Sequence, residues 1–189
     1  AAASPPVRAP KERRAVARMP AEPVGGAGLR TERAWVALGA NLGDPRVTLE
    51  AACVALAALP RTRWAGRSGW WRSAPVDAEG PDFINGVAAL DTSLSAPELL
   101  AALHAIEDEH HRLRPFRNAP RTLDLDLLML GTACRADEAP LLPHPRMHLR
   151  AFVLRPLAEL APTLVVPGHG PVAALLGTVA DQRLQRLPD

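Results

Sequence analysis

Asp124 and Asp126 stand one residue apart, directly after a stretch that holds Arg112, Arg114, Arg117 and Arg121. On a strand, alternate side chains share a face, so the two carboxylates fall on one side with their Cα atoms about 6.5–7 Å apart, while Leu123, Leu125 and Leu127 point to the other. Two carboxylates brought together repel and are costly to desolvate, which a neutralising cation explains most readily. Magnesium suits the pair, because it takes oxygen ligands and commonly completes its shell with water and phosphate. A second ion about 3.5–4 Å away could share the same two acids. Four guanidinium groups exceed what two carboxylates need. They want further anions, and phosphate oxygens match their planar forks two at a time. A nucleoside triphosphate meets both requirements. The plainer alternative leaves the acids facing solvent on an edge strand and the arginines in a solvated loop.

The elements that would position these groups follow from periodicity. Ala34–Leu38 reads as a short strand ending in the turn Gly39-Ala40-Asn41-Leu42-Gly43, followed by a helix with Asp44 as N-cap and Pro45 at its first position. Its apolar face is Val47, Leu49, Ala52, Cys53, Leu56 and Leu59, and Pro60 stops it. Residues 63–72 read as a strand interrupted by glycine, and 83–90 as another after the turn at Gly80-Pro81. Ser95 and Glu98 are spaced as a capping box for a helix through about residue 111, with Leu99, Leu103 and Ile106 at helical intervals. Leu123–Leu130 begins as an alternating strand and finishes as a continuous apolar one. The order strand, helix, strand, strand, helix, strand predicts an α+β, ferredoxin-like antiparallel sheet with both helices on one face. Residues 141–176, punctuated by Pro143, Pro145, Pro156, Pro162, Pro167 and Pro171, add loops and one or two short helices as a C-terminal extension.

Composition bounds the function. The net charge of +2 is an average over two unlike parts: residues 1–33 carry seven basic and three acidic side chains, which leaves the other 156 at −2. The first 33 residues mix Pro, Gly, Ala and Arg without periodicity and predict a flexible tail. The folded domain is expected over 34–180, with a short C-terminal tail at 181–189. Lys11 is the only lysine and there is no tyrosine, which excludes a Walker lysine, a Schiff-base lysine and a tyrosine acid from the body. Cys53 and Cys134 cannot build a four-thiolate zinc site, and a buried Cys53 thiol in a reducing compartment is the expectation. No apolar run approaches a membrane span or a secretory signal core, so a cytoplasmic protein is expected. A ferredoxin-like sheet can also bind RNA through stacking aromatics, but the acidic body and the lack of a basic aromatic strand argue against a nucleic-acid partner.

Together with Gly39-Ala40-Asn41-Leu42-Gly43, Phe83-Ile84-Asn85 and Leu142-Pro143-His144-Pro145-Arg146-Met147, the run Arg121-Thr122-Leu123-Asp124-Leu125-Asp126 resembles the 6-hydroxymethyl-7,8-dihydropterin pyrophosphokinases of folate biosynthesis, from about Ala34 to Leu176. The resemblance implies a ferredoxin-like enzyme that moves the β and γ phosphates of ATP together onto the pterin hydroxymethyl oxygen and releases AMP. It implies that Asp124 and Asp126 bind two magnesium ions and that attack is in line on the β phosphorus. Arg112 and Arg121 resemble the arginines that grip the phosphates as charge moves, with Arg114 and Arg117 as additional candidates; those roles suit phosphoryl chemistry. Glu107, His144 and Arg150 match positions on the nucleotide side, Arg155 less specifically. Phe83 and Phe152 match the two aromatics that sandwich the pterin, Asn85 its polar reader, and Ser73, Ala74, Pro75 and Val76 the backbone that completes the pocket. The implied partners are the pterin and ATP, with a neighbouring or fused folate-pathway enzyme reached through the N-terminal tail.

The chain departs from some relatives where Asn118 replaces a tryptophan that covers the pterin, in a stretch around Phe116 that is one residue shorter. Trp64, Trp70 and Trp71 do not replace it by register and are expected in the core or sheet. His144 and His148 could pair on a metal only if Pro145 allowed a helix between them, and His104, Glu107 and His110 lack the rest of a di-iron set. His169 is expected in a turn.

Overall fold

The computed structural model describes residues 30–75, 80–110 and 122–188. In chain order the elements are β1 (Glu32–Ala40), α1 (Pro45–Ala57), β2 (Thr62–Arg67), β3 (Trp71–Ser73), β4 (Phe83–Thr92), α2 (Ala96–Glu109), β5 (Asp124–Leu130), a 3-10 turn (Met147–Leu149), α3 (Ala151–Leu160), β6 (Val165–Val166), β7 (Gly170–Pro171), α4 (Val172–Thr178) and β8 (Leu184–Arg186). The main sheet runs β5-β1-β4-β3-β8, with β2 also on β4, and every pairing is antiparallel. This is the ferredoxin-like α+β arrangement that the element order predicts. Among the described residues no helix is long and apolar enough to cross a membrane.

Local signals explain the helix starts. Asp44 accepts a hydrogen bond from the Val47 N–H at 3.2 Å, with Pro45 behind it, and the Glu98 carboxylate takes both the N–H and the hydroxyl of Ser95 at 2.7 Å. Leu49, Ala52, Cys53 and Leu56 of α1 and Leu99, Leu103 and Ile106 of α2 are buried against Val36, Leu38, Ala88, Leu90, Leu125 and Leu127. Val47, expected on that face, is 65% exposed. Two residues ahead of Leu49 it stands about 200° around the helix, which turns it to solvent. The Cys53 thiol is buried as expected, and burial pushes its pKa up to about 11.

The opposite face packs on α3 and α4. Trp35, Val87, Ala89, Leu128 and Met129 meet Val153, Leu154, Leu157, Val172 and Leu175. Pro156, expected to interrupt this region, lies inside α3 on its buried side. A proline there costs about 3 kcal/mol, and burial of the helix's apolar side offsets it.

Three further differences have identifiable causes. The strand predicted over 63–72 is split into β2 and β3, with the register on β4 shifting between Trp64 and Gly66. Trp70 then turns fully into the core over Gly86, where a Cβ would stand 2.6 Å from its ring. Second, the register between β1 and β5 shifts at Trp35/Val36, with Leu127 opposite Val36, Met129 opposite Trp35, and Leu128 without an opposite number. Third, residues 181–189, predicted as a tail, contribute β8, whose Leu184–Arg186 pair with Ser73–Trp71. Its Arg186 and the Gly69 N–H share the Glu159 carboxylate of α3 at 2.8 Å each.

Candidate active site

The face of the sheet opposite α1 and α2 carries the predicted chemistry at one end. Register places Asp126 opposite Ala37 and Asp124 opposite Gly39 on one side of β1, with Asn85 opposite Gly39 on the other. Opposite residues share a face, so Asn85, Gly39 and Asp124 form a row across three strands. Gly39 is the gap in that row: a Cβ there would meet Asn85 Oδ1 at 3.4 Å and the Asp124 Cβ at 4.0 Å. The predicted common face for Asp124 and Asp126 holds, and the intervening Leu125 is buried in the first core.

Glu107 fixes the peptide between the two acids. β5 is an edge strand, so its outward N–H groups need partners from elsewhere. The Glu107 carboxylate accepts from the Leu125 N–H at 2.7 Å. Glu107 is only 1% exposed. It is therefore not a solvent-facing helix residue.

His144 and Arg150 converge on Asp126. Their Nε2 and Nη1 atoms lie 3.9 and 3.6 Å from its Oδ2. The His144 backbone N–H donates to Leu128 O at 2.8 Å, which ties the loop to β5. Its Nδ1 accepts from the Arg146 N–H at 3.2 Å, so the neutral ring carries its proton on Nε2, the nitrogen nearer Asp126. Burial pushes the His144 pKa down; Asp126 opposes this and Arg150 reinforces it. The alternative in which His144 and His148 pair on a metal, disfavoured by Pro145, is not met: His148 stacks on His169, with ring centroids 3.7 Å apart. His104, Glu107 and His110 likewise build no cluster, since no group of three or more His, Cys, Asp or Glu that could hold an ion occurs among the described residues.

Arg150 is the N-cap of α3, and its guanidinium lies 5.4 Å from the centre of the Phe152 ring. Phe152 packs against the second core. Phe83 and Asn85 alternate with Ile84 and lie on the same side of β4 as Val87 and Ala89, which belong to that core. Asn85 is oriented by its amide, whose Nδ2 donates to Ser73 Oγ at 3.0 Å and to Trp71 O at 3.5 Å. Its carbonyl oxygen faces the gap at Gly39. Ser73 is buried, Pro75 is half-buried and Ala74 is exposed. Val76, Arg112, Arg114, Arg117 and Arg121 lie outside the described residues, as do Phe116, Asn118 and nearly all of the predicted tail. Arg155 lies on an exposed position of α3.

A cavity of about 600 Å³ lies elsewhere, lined by Asn41, Asp44, Arg46, Arg72, Ile84 and Leu187 among others. Ile84 and Arg72 are opposite one another on the α1 side of the sheet, so this space is across the sheet from Asn85. The two acids do not line it. Sequence reasoning missed Gly39 as a spacer and Gln182, whose side chain bonds on both sides of Arg150. Gly39 was visible only as part of a turn, and Gln182 carries no motif.

The chain is also similar to known proteins in sequence and in fold. Residues 35–162 match the family model described as 7,8-dihydro-6-hydroxymethylpterin-pyrophosphokinase (HPPK). The chain is 46% identical over 158 residues to the 2-amino-4-hydroxy-6-hydroxymethyldihydropteridine pyrophosphokinase of Pseudomonas aeruginosa, covering 83% of this chain and 98% of that protein. It is 39% identical over 155 residues to the protein of the same name from Haemophilus influenzae, covering 82% and 97%. In fold it is similar to a solved HPPK-DHPS structure from Plasmodium falciparum, with a TM-score of 0.63 at 11% identity, over 80% of this chain and 45% of that one.

Proposed function

The chain belongs to the 7,8-dihydro-6-hydroxymethylpterin-pyrophosphokinase family, and from that membership we propose how its residues divide the transfer of pyrophosphate from ATP to 6-hydroxymethyl-7,8-dihydropterin. One observation carries the reading: the acceptor on Asn85 and the carboxylates of Asp124 and Asp126 stand on one face of the sheet, separated by a residue without a side chain. The pterin lies with its ring against Phe83 and Phe152, and Asn85 Oδ1 accepts from its N–H edge, because Ser73 and Trp71 already occupy the amide nitrogen. Its hydroxymethyl arm then passes over Gly39 toward the acids. Ser73, Ala74, Pro75 and Val76 close the pocket.

Asp124 and Asp126 fit magnesium by donor type, since both offer hard carboxylate oxygens on one face, and the remaining ligands would come from water and the triphosphate. Bound there, magnesium neutralises the triphosphate and polarises the reacting oxygens. The chain's own groups do the rest. Glu107 keeps the two carboxylates in register through Leu125. The Nε2–H of His144 and the guanidinium of Arg150 stand beside Asp126, where they can donate to phosphate oxygens. Arg112 and Arg121 grip the phosphates during in-line attack on the β phosphorus, assisted by Arg114 and Arg117. The catalytic domain runs from β1 through β8, Glu32 to Arg186, and the N-terminal segment is where a neighbouring folate-pathway enzyme would attach.

Incubation with ATP, magnesium and 6-hydroxymethyl-7,8-dihydropterin should yield AMP and the pterin diphosphate in equal amounts. Release of ADP instead, or binding of both substrates with no AMP, overturns the reading.

A further inference from the structure

Arg150 occupies an awkward place for a working side chain. It is the N-cap of α3, a position normally held by a short oxygen-bearing residue that accepts one of the helix's unpaired N–H groups. Arginine cannot accept, and the Arg150 side chain makes no cap; its guanidinium lies near Asp126 and over Phe152. The missing acceptor comes from Gln182, 31 residues past Ala151. Its Oε1 accepts from the Ala151 N–H at 2.9 Å, and its Nε2 donates to the Leu149 carbonyl at 2.9 Å. One side-chain amide therefore pins the peptides on both sides of Arg150.

The placement of Gln182 suits that task. Its own N–H donates to Val179 O at 3.1 Å, and Val179 is buried in the second core. The segment it holds runs between two buried anchors, Met147 and Ala151, with Leu149 exposed between them. Gln182 lies beyond the 35–162 region matched by the family model.

We propose that Gln182 is a positioning residue for Arg150: by bridging Leu149 O and Ala151 N it sets the direction of the guanidinium toward Asp126 and hence toward the transferred phosphates. The proposal rests on the reading of Arg150 as a phosphate-side group, and the experiment separates the two. Rates of AMP formation are measured for R150A, Q182A, Q182E and the double variant R150A/Q182A, with Tm recorded for each and the Arg150 Nε–Hε signal followed by nitrogen-15 NMR, assigned by its loss in R150A. Two neutral hydrogen bonds on a backbone segment predict that Q182A loses about tenfold in kcat/KM. Q182A should cost nothing further on the R150A background and should move the Arg150 Nε–Hε signal. Q182E keeps the acceptor for Ala151 but not the donor for Leu149, so it should retain a rate between wild type and Q182A. Full activity of R150A overturns the role of Arg150 itself. A strong defect in R150A with Q182A near wild type, or an equal Q182A defect in both backgrounds with an unmoved Arg150 signal, overturns the positioning role alone.

Discussion

On the side of the sheet that meets α1 and α2, Val36, Leu38, Ala88, Leu90, Leu125 and Leu127 are all buried in one apolar layer. On the other side, the same three strands carry Trp35, Val87, Ala89 and Met129 at one end and Gly39, Asn85, Asp124 and Asp126 at the other. Alternation makes this possible, because every second residue of each strand is free of the first core's demands. The face filled by α1 and α2 supplies burial along its whole length, so the second face can afford carboxylates close together. Burial thus takes one face along its whole length and one end of the other, chemistry takes the remaining end, and substitutions in the first core and among the acids should report separately.

The largest expected effect comes from Asp126→Ala, which should lower turnover by about a hundred- to a thousandfold. Its side chain is 36% exposed and its neighbour Asp124 is also acidic, so Tm should hold or rise. A falling Tm with intact turnover would mean that the acids are structural and would break the division between the faces. Next, Leu103→Ala on the α2 side removes a fully buried side chain and should cost about 2–5 kcal/mol in urea unfolding. Activity per folded molecule should stay within twofold at low temperature.

A smaller change, Gly39→Ala, tests the gap directly. The added methyl meets Asn85 Oδ1 at ordinary contact distance and the backbone needs no left-handed conformation, so Tm should barely move. KM for the pterin should nonetheless rise about tenfold, as the floor over which the hydroxymethyl arm passes is filled. An unchanged KM would place the arm elsewhere.

The smallest effect lies at the start of α2. The hydroxyl of Ser95, then its N–H, then Arg61 hold the Glu98 carboxyl down at about 2, below its ordinary 4.5. A carboxyl lowered on folding stabilises above its unfolded value and loses that contribution as pH falls through the folded one. Wild type should therefore be slightly more stable than Glu98→Gln near neutrality, the gap closing between pH 4.5 and about 2 while turnover at pH 7 is unaffected. A gap that persists at pH 2 would assign the effect to something other than this charge.

How much of this was legible in the residues depends on how local each signal is. The shared face of Asp124 and Asp126, the Ser95–Glu98 cap and the apolar face of α2 need only near neighbours, and each is present. Ferredoxin-like topology followed from element order. The site resemblance also led to Asn85, His144 and Arg150, two of which the structure places within 4 Å of Asp126. What depends on register between distant strands was hidden: the gap at Gly39 exists only because Asn85 and Asp124 flank it from two different strands. Burial of Glu107 was equally obscure, since its partner is a backbone N–H rather than a residue type. Gln182 acts through backbone atoms too, and such contacts leave no compositional trace.

The register shift at Leu128 has a consequence for how the domain tolerates changes in chain length. Side chains of a strand change face with each residue, so a one-residue insertion anywhere along β5 would ordinarily invert everything on one side of it. Leu127 and Leu130 point to the first core while Leu128 and Met129 both point to the second. The strand has already spent one such inversion midway. Removing Leu128 would therefore leave a regularly alternating strand in which Leu127, Met129 and Leu130 keep their faces and both carboxylates stay on the catalytic side.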